Sequence, residues 1–178
     1  EAIFHHDDWG SQKSTFMSPE MFEEFFVEPY KKIYGYYHEH GVKYVFHHSD
    51  SYAATFVPAM IEMGIDVWQG CFSTNDLPTL IEKYGDKITF MGGIENCLVD
   101  FDGWTEENCR KVVRETIDAC TANGNKYFIP CIAQGGPGSV FPGVYKSMWD
   151  EIDKYNIEKF GCTQEELDEN RLPINIMF

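Results

Sequence analysis

Positive charge is scarce in this sequence. Among 178 residues there are 14 Lys and Arg against 29 Asp and Glu, which gives a formal net charge of −15. Only three of the basic residues are arginines, at positions 110, 114 and 171. Nucleic acids and anionic membranes need clustered basic side chains, so neither is expected as a partner. Bidentate capture of carboxylates or phosphates depends on Arg, so this segment alone is poorly equipped to hold a polyanion.

Long hydrophobic runs and paired cysteines are also missing. No apolar stretch approaches the roughly 20 residues of a membrane span, and no basic-then-apolar signal segment opens the chain. The six cysteines include no Cys-x-x-Cys pair and no spacing typical of a disulfide framework. We therefore expect reduced thiols in a cytoplasmic protein. Cys109 and Cys120 are predicted to lie on the apolar face of a helix.

What remains is the composition of a globular protein in one domain. Hydrophobic residues make up 43% and aromatic residues 16% of the chain, which argues against disorder. Runs with strand character alternate with helical patterns five times, with connections of roughly two to six residues. This alternation predicts an α/β fold of repeated βα units, with parallel strands under outer helices. No internal repeat or domain boundary is evident.

Two sheet architectures fit such an alternation. A doubly wound open sheet is disfavoured because no Gly-rich dinucleotide fingerprint follows any of the strands. Five strands are too few to close a barrel that uses eight. The chain also opens with an apolar run already under way, from Ala2 to His6. This start hints at a fragment of a longer protein.

Capping residues predict where several helices begin. Ser18-Pro19-Glu20 is typical of a helix start. Thr105 is predicted to cap a helix, and Thr163 forms a capping box with Glu166. The first helix has apolar residues at helical spacing, which predicts one buried face. Its members are Phe22, Phe25, Phe26, Pro29, Ile33 and Tyr37.

The stretch from Lys43 to Tyr52 is the most informative. It begins as a strand and ends in His48-Ser49-Asp50, and ligands bind outside the carboxyl ends of parallel strands. Parallel strands would gather the polar strand ends around one mouth. The residues concerned are Asp7, Asp8, Gln12, His48, Asp50, Gln69, Glu95, Cys131 and Gln134. The donor types of His48, Asp50 and Cys131 suit Zn²⁺, with Glu95 or a bound thiol substrate completing the ligand set.

Simpler interpretations of the same residues stay open. His5-His6 is either a solvated strand end or part of the mouth. His48 is either a hydrogen-bonded core histidine or a functional one. Cys131 is either an ordinary buried thiol or a ligand. Asp8, before Trp9-Gly10, is either a turn cap or a cleft residue.

Several blocks of the sequence resemble the uroporphyrinogen decarboxylase-like superfamily. Residues 7–12, followed by 17–22 and Pro29-Tyr30, are similar to its Asp-x-Trp…Leu-Ser-Pro…Phe…Pro-Tyr signature. Four later blocks follow in the family's order. They are His48-Ser49-Asp50, Gly64-Ile65-Asp66-Val67, Tyr84-Gly85-Asp86-Lys87-Ile88 and Gly92-Gly93-Ile94. The resemblance spans nearly the whole chain, and the order of the blocks is more specific than any one of them.

The resemblance implies a (β/α)8 barrel of which this chain supplies the last five βα units. Residues 1–178 would form a single partial domain, with three N-terminal units missing. The superfamily includes the decarboxylase of haem biosynthesis and corrinoid-linked methyltransferases such as methylcobamide:coenzyme M methyltransferase. The missing part would carry the arginines that hold the substrate carboxylates in the decarboxylase.

This chain departs from both family patterns. In the methyltransferases the segment at His48 reads His-x-Cys, and a later Cys completes a zinc site that activates a thiol. Here Asp50 replaces the first Cys, and Cys131 lies about two positions early. In the decarboxylase a His follows the last strand, roughly where Ala133 stands, while Asp8 matches an acidic position of its cleft.

The resemblance implies an enzyme, with methyl transfer from or to a corrinoid co-substrate as the leading hypothesis. Zinc at His48, Asp50 and Cys131 would activate the acceptor thiol. The expected catalytic residues are Asp8, His48 and Asp50, and the expected substrate-binding residues are Asp7, Gln12, Gln69, Glu95 and Gln134. One alternative is decarboxylation of a tetrapyrrole acetate, with Asp8 stabilising a protonated pyrrole. The other is a non-catalytic module that binds a corrinoid or tetrapyrrole.

The expected partners follow from the same hypothesis. A small-molecule substrate would bind at the mouth, and a corrinoid protein would deliver or receive the methyl group. An open five-stranded sheet exposes its edges. The chain is therefore expected to form homo-oligomers or to associate with a missing N-terminal segment.

Overall fold

The computed structural model describes residues 1–122, 124, 126–135 and 138–171. Its five strands are β1 (Ala2–His6), β2 (Tyr44–His48), β3 (Val67–Cys71), β4 (Thr89–Ile94) and β5 (Phe128–Ile132). The helices are α1 (Pro19–Phe22), α2 (Glu28–Glu39), α3 (Val57–Met63), α4 (Leu77–Tyr84), α5 (Asn96–Val99), α6 (Glu106–Thr121), α7 (Val144–Phe160) and α8 (Gln164–Asn170). A π-helical turn, Glu23–Val27, joins α1 to α2, and short 3-10 turns cover Ala54–Phe56 and Ser73–Asn75.

The five strands form one parallel sheet in the order β1-β2-β3-β4-β5. One face carries Val45, Trp68 and Phe90, which are fully buried beneath the helices. The other face is open, with Tyr44 exposed by 56% and Ile129 by 38%. A doubly wound sheet reverses its strand order and covers both faces with helices. The sheet is therefore part of a barrel wall, as the family resemblance implied.

The buried side chains form two apolar clusters between the sheet and its helices. The first packs β1–β4 against α1–α4 around Trp9, Phe22 and Trp68. The second packs α6 and α7 over the end of the sheet around Val113 and Met148. Burying one side chain of this size stabilises the fold by about 1.5–3 kcal/mol. Of the helices in the described ranges, none combines the length and the apolar character needed to cross a membrane.

The helix starts follow the predicted capping chemistry. The Ser18 side chain accepts a hydrogen bond from the Met21 amide, and Thr105 accepts one from the Asn108 amide. Thr163 forms the predicted capping box at the start of α8. Each cap satisfies amides that have no partner in the first helical turn.

The buried face of the first helix differs from the prediction. Phe25 is 60% exposed and Ile33 is 41% exposed, whereas Tyr30 and Tyr34 are buried. The π-helical turn explains the difference, because one extra residue in a turn rotates everything after it by about 100°. The wider turn lies just before Pro29, which has no amide hydrogen to donate and whose ring crowds the preceding turn.

Gly92 marks a close approach between neighbouring strands. The register of β3 against β4 shifts between Gln69 and Cys71. Gly92 has φ +144°, and a Cβ there would lie 2.7 Å from the backbone N and O of Cys71. A side chain at this position therefore meets rigid backbone as well as unfavourable backbone torsion.

A matched pair of glycine variants tests this strand contact. Gly92→Ala is expected to lower the free energy of unfolding by at least about 1–3 kcal/mol, the cost of such backbone strain alone. Gly35 lies inside α2, and a Cβ added there would meet no atom within 4 Å. Gly35→Ala is expected to raise stability by about 0.5–1 kcal/mol. Urea unfolding midpoints at an unchanged m-value measure both effects, and an unshifted midpoint for Gly92→Ala would contradict the strand contact.

Candidate active site at the strand ends

Two histidines and two carboxylates meet where β1 and β2 end. The strands pair in register, with His6 opposite His48. The two imidazole rings have centroids 4.3 Å apart. His6 Nε2 lies 3.3 Å from Asp8 Oδ2, and the Asp50 amide donates to Asp8 Oδ1 at 3.1 Å. The expected catalytic residues Asp8, His48 and Asp50 therefore do share one rim.

The Asp50 carboxylate is fixed by the loop that follows β5, the strand at the far edge of the sheet. Gln134, in the loop after β5, donates from Nε2 to Asp50 Oδ2 at 2.8 Å. Asn96, after β4, fixes that loop: its side chain donates to the Gln134 carbonyl at 2.9 Å and accepts from the Gln134 amide at 3.1 Å. The loops of distant strands thus close over the same rim.

The Gln69 side chain on β3 orients the His48 ring. Its Oε1 is hydrogen-bonded to His48 Nδ1. Because an amide oxygen only accepts, Nδ1 carries the proton and the lone pair of the neutral ring is on Nε2. Nε2 lies 3.9 Å from Asp50 Oδ2. Gln69 itself is nearly fully buried, so this orientation is fixed by packing as well as by the hydrogen bond.

Cys131 contacts Gln69 from β5. The Gln69 side chain hydrogen-bonds the thiol, but burial outweighs that bond and raises the pKa of Cys131 to about 12. Ionisation of such a thiol is costly at neutral pH. This geometry matches the interpretation of Cys131 as a buried thiol.

The expected zinc ligands His48, Asp50 and Cys131 do not form one set. Within the described residues, one group of three or more metal-binding side chains has all its donor atoms within 4.8 Å of one another, and it consists of His6, Asp8 and His48. Asp50 is bonded to Gln134 and Cys131 to Gln69 instead. The structure therefore brings His48 together with different donors from those that the sequence singled out.

The other expected substrate-binding residues divide between two places. A cavity of about 270 Å³ lies over the rim, lined by Phe4, His6, His48, Asp50, Gln69, Ala133 and Gly135. Gln12, Glu95 and Gln134 line a smaller depression of about 130 Å³ beside it. Asp7 lies behind the rim, where its carboxylate accepts hydrogen bonds from Trp9 Nε1 and from the Tyr30 hydroxyl. Asp7 therefore supports the wall instead of lining the cavity.

A buried hydrogen-bond chain behind the rim fixes β1 and β2 to α2. His47 Nε2 donates to the Asp7 carbonyl at 3.0 Å, and burial lowers the pKa of His47 to about 4, so the ring is neutral. Its Nδ1 must then accept, and Tyr34 donates to it at 2.7 Å. The Tyr34 oxygen is left to accept from His5 Nδ1 at 2.9 Å. Trp9 stacks on His47 with ring centroids 3.9 Å apart.

His6, for which the sequence left a solvated strand end and a place at the mouth both open, lies at the rim. A signal for it exists, because the pattern Phe-His-His-x-Asp occurs at residues 4–8 and again at 46–50. Residues alternate between the two faces of a strand. In both copies, therefore, the first His faces the helices and the second faces the open side with the following Asp near it.

The sequence of the chain matches one known protein family. Residues 1–155 match the model of the uroporphyrinogen decarboxylase (URO-D) family. The chain belongs to the URO-D family. No curated protein matches this URO-D chain significantly.

Among solved structures, the URO-D chain is similar to a methyltransferase from Methanosarcina mazei. The TM-score is 0.66 at 14% sequence identity, over 87% of this chain and 42% of that protein. The likeness at this identity shows a shared fold. The URO-D chain thus spans less than half the length of this solved relative.

The neutral His47 predicts how the stability of this URO-D chain depends on pH. Its pKa is lowered from 6.5 to about 4 in the folded state, so the unfolded state binds more protons between these values. Stability is therefore expected to fall as the pH drops from 6.5 to 4, by at most about 3 kcal/mol from this residue. Urea unfolding at several pH values measures the slope.

Two single-histidine variants separate this contribution from other titrating groups. His47→Gln is expected to reduce the slope, whatever its effect on stability at neutral pH. His40→Gln replaces an exposed histidine at the end of α2. This variant is expected to leave the pH dependence of stability unchanged. Identical slopes in the two variants would contradict the assignment of a neutral, buried His47.

Proposed function

We propose that this URO-D chain forms the catalytic half of a methyltransferase that moves a methyl group between a corrinoid and a thiol or similar nucleophile. The observation that supports this best is the cluster of His6, Asp8 and His48 at the carboxyl ends of parallel strands. Imidazole and carboxylate groups in a cavity are suited to removing a proton from an acceptor. The solved relative named as a methyltransferase shares the fold that positions this cluster.

The charge distribution favours methyl transfer over tetrapyrrole decarboxylation. A tetrapyrrole with several carboxylates needs cationic partners. Arg110 and Arg114 of α6 instead form ion pairs with Glu151 of α7, and Arg171 pairs with Asp153. All three arginines thus form ion pairs with acidic residues of the outer helix α7. Ala133 also occupies the position where the resemblance places a decarboxylase histidine.

In the proposed reaction the acceptor thiol first passes its proton to an imidazole or carboxylate group of the rim. The thiolate then attacks the methyl group, and the carbon–cobalt bond breaks with its electron pair left on the corrinoid product. Residues of the rim hold the thiol end of the acceptor and stabilise its deprotonated form. Asp50, fixed by Gln134, and the neighbouring Gln12 and Glu95 orient the rest of the substrate.

Zinc at the ligand set implied by the resemblance does not fit this chain. The Cys131 thiol is fully buried against Gln69 with a pKa of about 12, and it does not lie within ligand reach of His48 and Asp50 as a set. We derive no step through zinc bound at those three residues.

The proposed activity is tested by mixing the purified protein with methylcobalamin and a small thiol. Loss of the methylcobalamin absorbance and formation of the thioether measure methyl transfer. His48→Ala is expected to lower the rate at least about 100-fold, the usual contribution of a positioned proton acceptor. His40→Ala is expected to leave the rate unchanged. Turnover of uroporphyrinogen without methyl transfer would decide for the decarboxylase.

The open face of the sheet supports a further part of this proposal. Tyr44, Tyr127 and Ile129 are exposed on the side that a closed barrel would bury, around a depression of about 380 Å³. Exposed apolar patches of this kind mark interfaces. The solved relative is more than twice as long as the chain. We infer that three further βα units, on the same or another polypeptide, cover this face.

Light scattering of the purified 20.6 kDa chain tests this inference. Without its covering segment the chain is expected to associate through the open face. Ile129→Lys and Tyr44→Lys are expected to shift it toward a monomer, because a buried lysine in the contact is costly. Phe25→Lys, on the outer helical surface, serves as the control. A monomeric parent chain would contradict the inferred open face.

A further inference from the structure

The geometry points to a divalent metal site formed by His6, Asp8 and His48, with Zn²⁺ as the ion that it suits best. The donor atoms of the three side chains lie within 4.8 Å of one another. Around one tetrahedral zinc ion with bonds of about 2.0 Å, ligand atoms are roughly 3.3 Å apart. His6 Nε2 and Asp8 Oδ2 already have that separation, at 3.3 Å. The donor atom of His48 lies within 4.8 Å of both.

Two of the three ligands are oriented by neighbours that do not contact the ion. Gln69 Oε1 accepts a hydrogen bond from His48 Nδ1, so Nε2 is the nitrogen of the neutral ring that can bind an ion. The Asp50 amide holds Asp8 Oδ1 and leaves Oδ2 on the side of His6. Gln69 is buried and is itself bonded to Cys131, so it is a rigid support.

The ligand types indicate a catalytic site, not a structural one. Two imidazoles and one carboxylate are three protein ligands, and catalytic zinc keeps a further position for water or substrate. His6 and Asp8 are exposed, and His6 and His48 line the cavity at the rim, so an ion has an entry path and an acceptor can reach it. The net charge of −15 adds a general attraction for cations.

This site differs from the set that the resemblance implies. The family pattern would use the residues at His48 and Asp50 with a later cysteine, whereas here His6 at the end of β1 and Asp8 in the loop after it supply two ligands and Cys131 supplies none. The inference does not depend on the proposed methyl transfer. Where both hold, a metal-bound thiol acceptor has a lowered pKa, which is the chemistry that the ion would supply.

Metal binding is tested on the purified, chelator-treated chain by titration with Zn²⁺ and by absorption spectroscopy with Co²⁺ as the probe. One Zn²⁺ per chain is expected. Asp8→Asn, which keeps the shape of the side chain, and His6→Ala are each expected to weaken affinity at least about 100-fold, since even outer supports of a metal ligand contribute 10–100-fold. Gln69→Ala is expected to weaken the metal affinity by about 10–100-fold, because Gln69 supports a ligand and does not itself bind the ion. Circular dichroism checks that each variant is folded.

Two controls separate this site from its competitors. Cys131→Ser is expected to keep full affinity, and the Co²⁺ complex is expected to show no sulfur-to-cobalt charge-transfer band. His40→Gln is expected to bind as the parent does, which excludes general binding to surface histidines. Affinity that depends on Cys131 and not on His6, or no stoichiometric binding in the parent, would overturn the site. Stoichiometric binding without methyl transfer would sustain the site and count against the proposed function alone.

Discussion

The in-register pairing of β1 with β2 is the constraint on which the rim depends. Parallel pairing fixes which residues lie side by side, and here it sets the two Phe-His-His-x-Asp segments against each other. A shift of one residue would send every side chain to the opposite face. It would then place the imidazole that now binds Tyr34 in the cavity and the rim imidazole among the helices. The position of the candidate site is thus decided by a register, and only then by side-chain chemistry.

The Tyr34 hydroxyl enforces that register. It bonds both His5 and His47, one from each strand, and the direction of every bond in the chain follows from the carbonyl of Asp7. A register shift would leave these buried polar groups without partners, each at a cost of about 1–3 kcal/mol. Of the two adjacent histidines in each strand, the first therefore maintains the structure and the second faces the cavity. The same residue type serves two purposes because adjacent residues face opposite sides of a strand.

Local signals in the sequence were enough to predict the parallel βα order and the helix caps. Strand-type residues, capping threonines such as Thr105 and glycine stops act over a few residues and are little affected by the rest of the fold. The buried face of α2 could not be predicted in this way, because the π-helical turn before Pro29 changes the phase of everything after it. The separation of the expected zinc ligands could not be predicted for a related reason. Sequence showed that Cys131 ends a strand, but not that Gln69 would lie against its thiol.

The membership of the URO-D family and the site chemistry rest on different grounds. The family match covers residues 1–155 and establishes the fold. The proposed chemistry depends on particular residues within that fold, above all Asp50 where the resemblance to the methyltransferases implies a cysteine. Asp50 is held by Gln134, and in the proposed metal site the other two ligands are His6 at the end of β1 and Asp8 in the loop after it, both next to His48. A change of one ligand need not remove a metal site when a neighbouring strand carries suitable donors.

The uncovered inner face of the sheet also bears on what stability means for this chain. Tyr44 and Ile129 lose contact with water only when another segment packs against them. Binding that occurs only in the folded state shifts the folding equilibrium by mass action. When the covering segment is a separate molecule, the folded fraction rises and falls with the concentration of that molecule. When it is part of the same polypeptide, its effective concentration is set by the connecting chain, and the two halves fold as one cooperative unit.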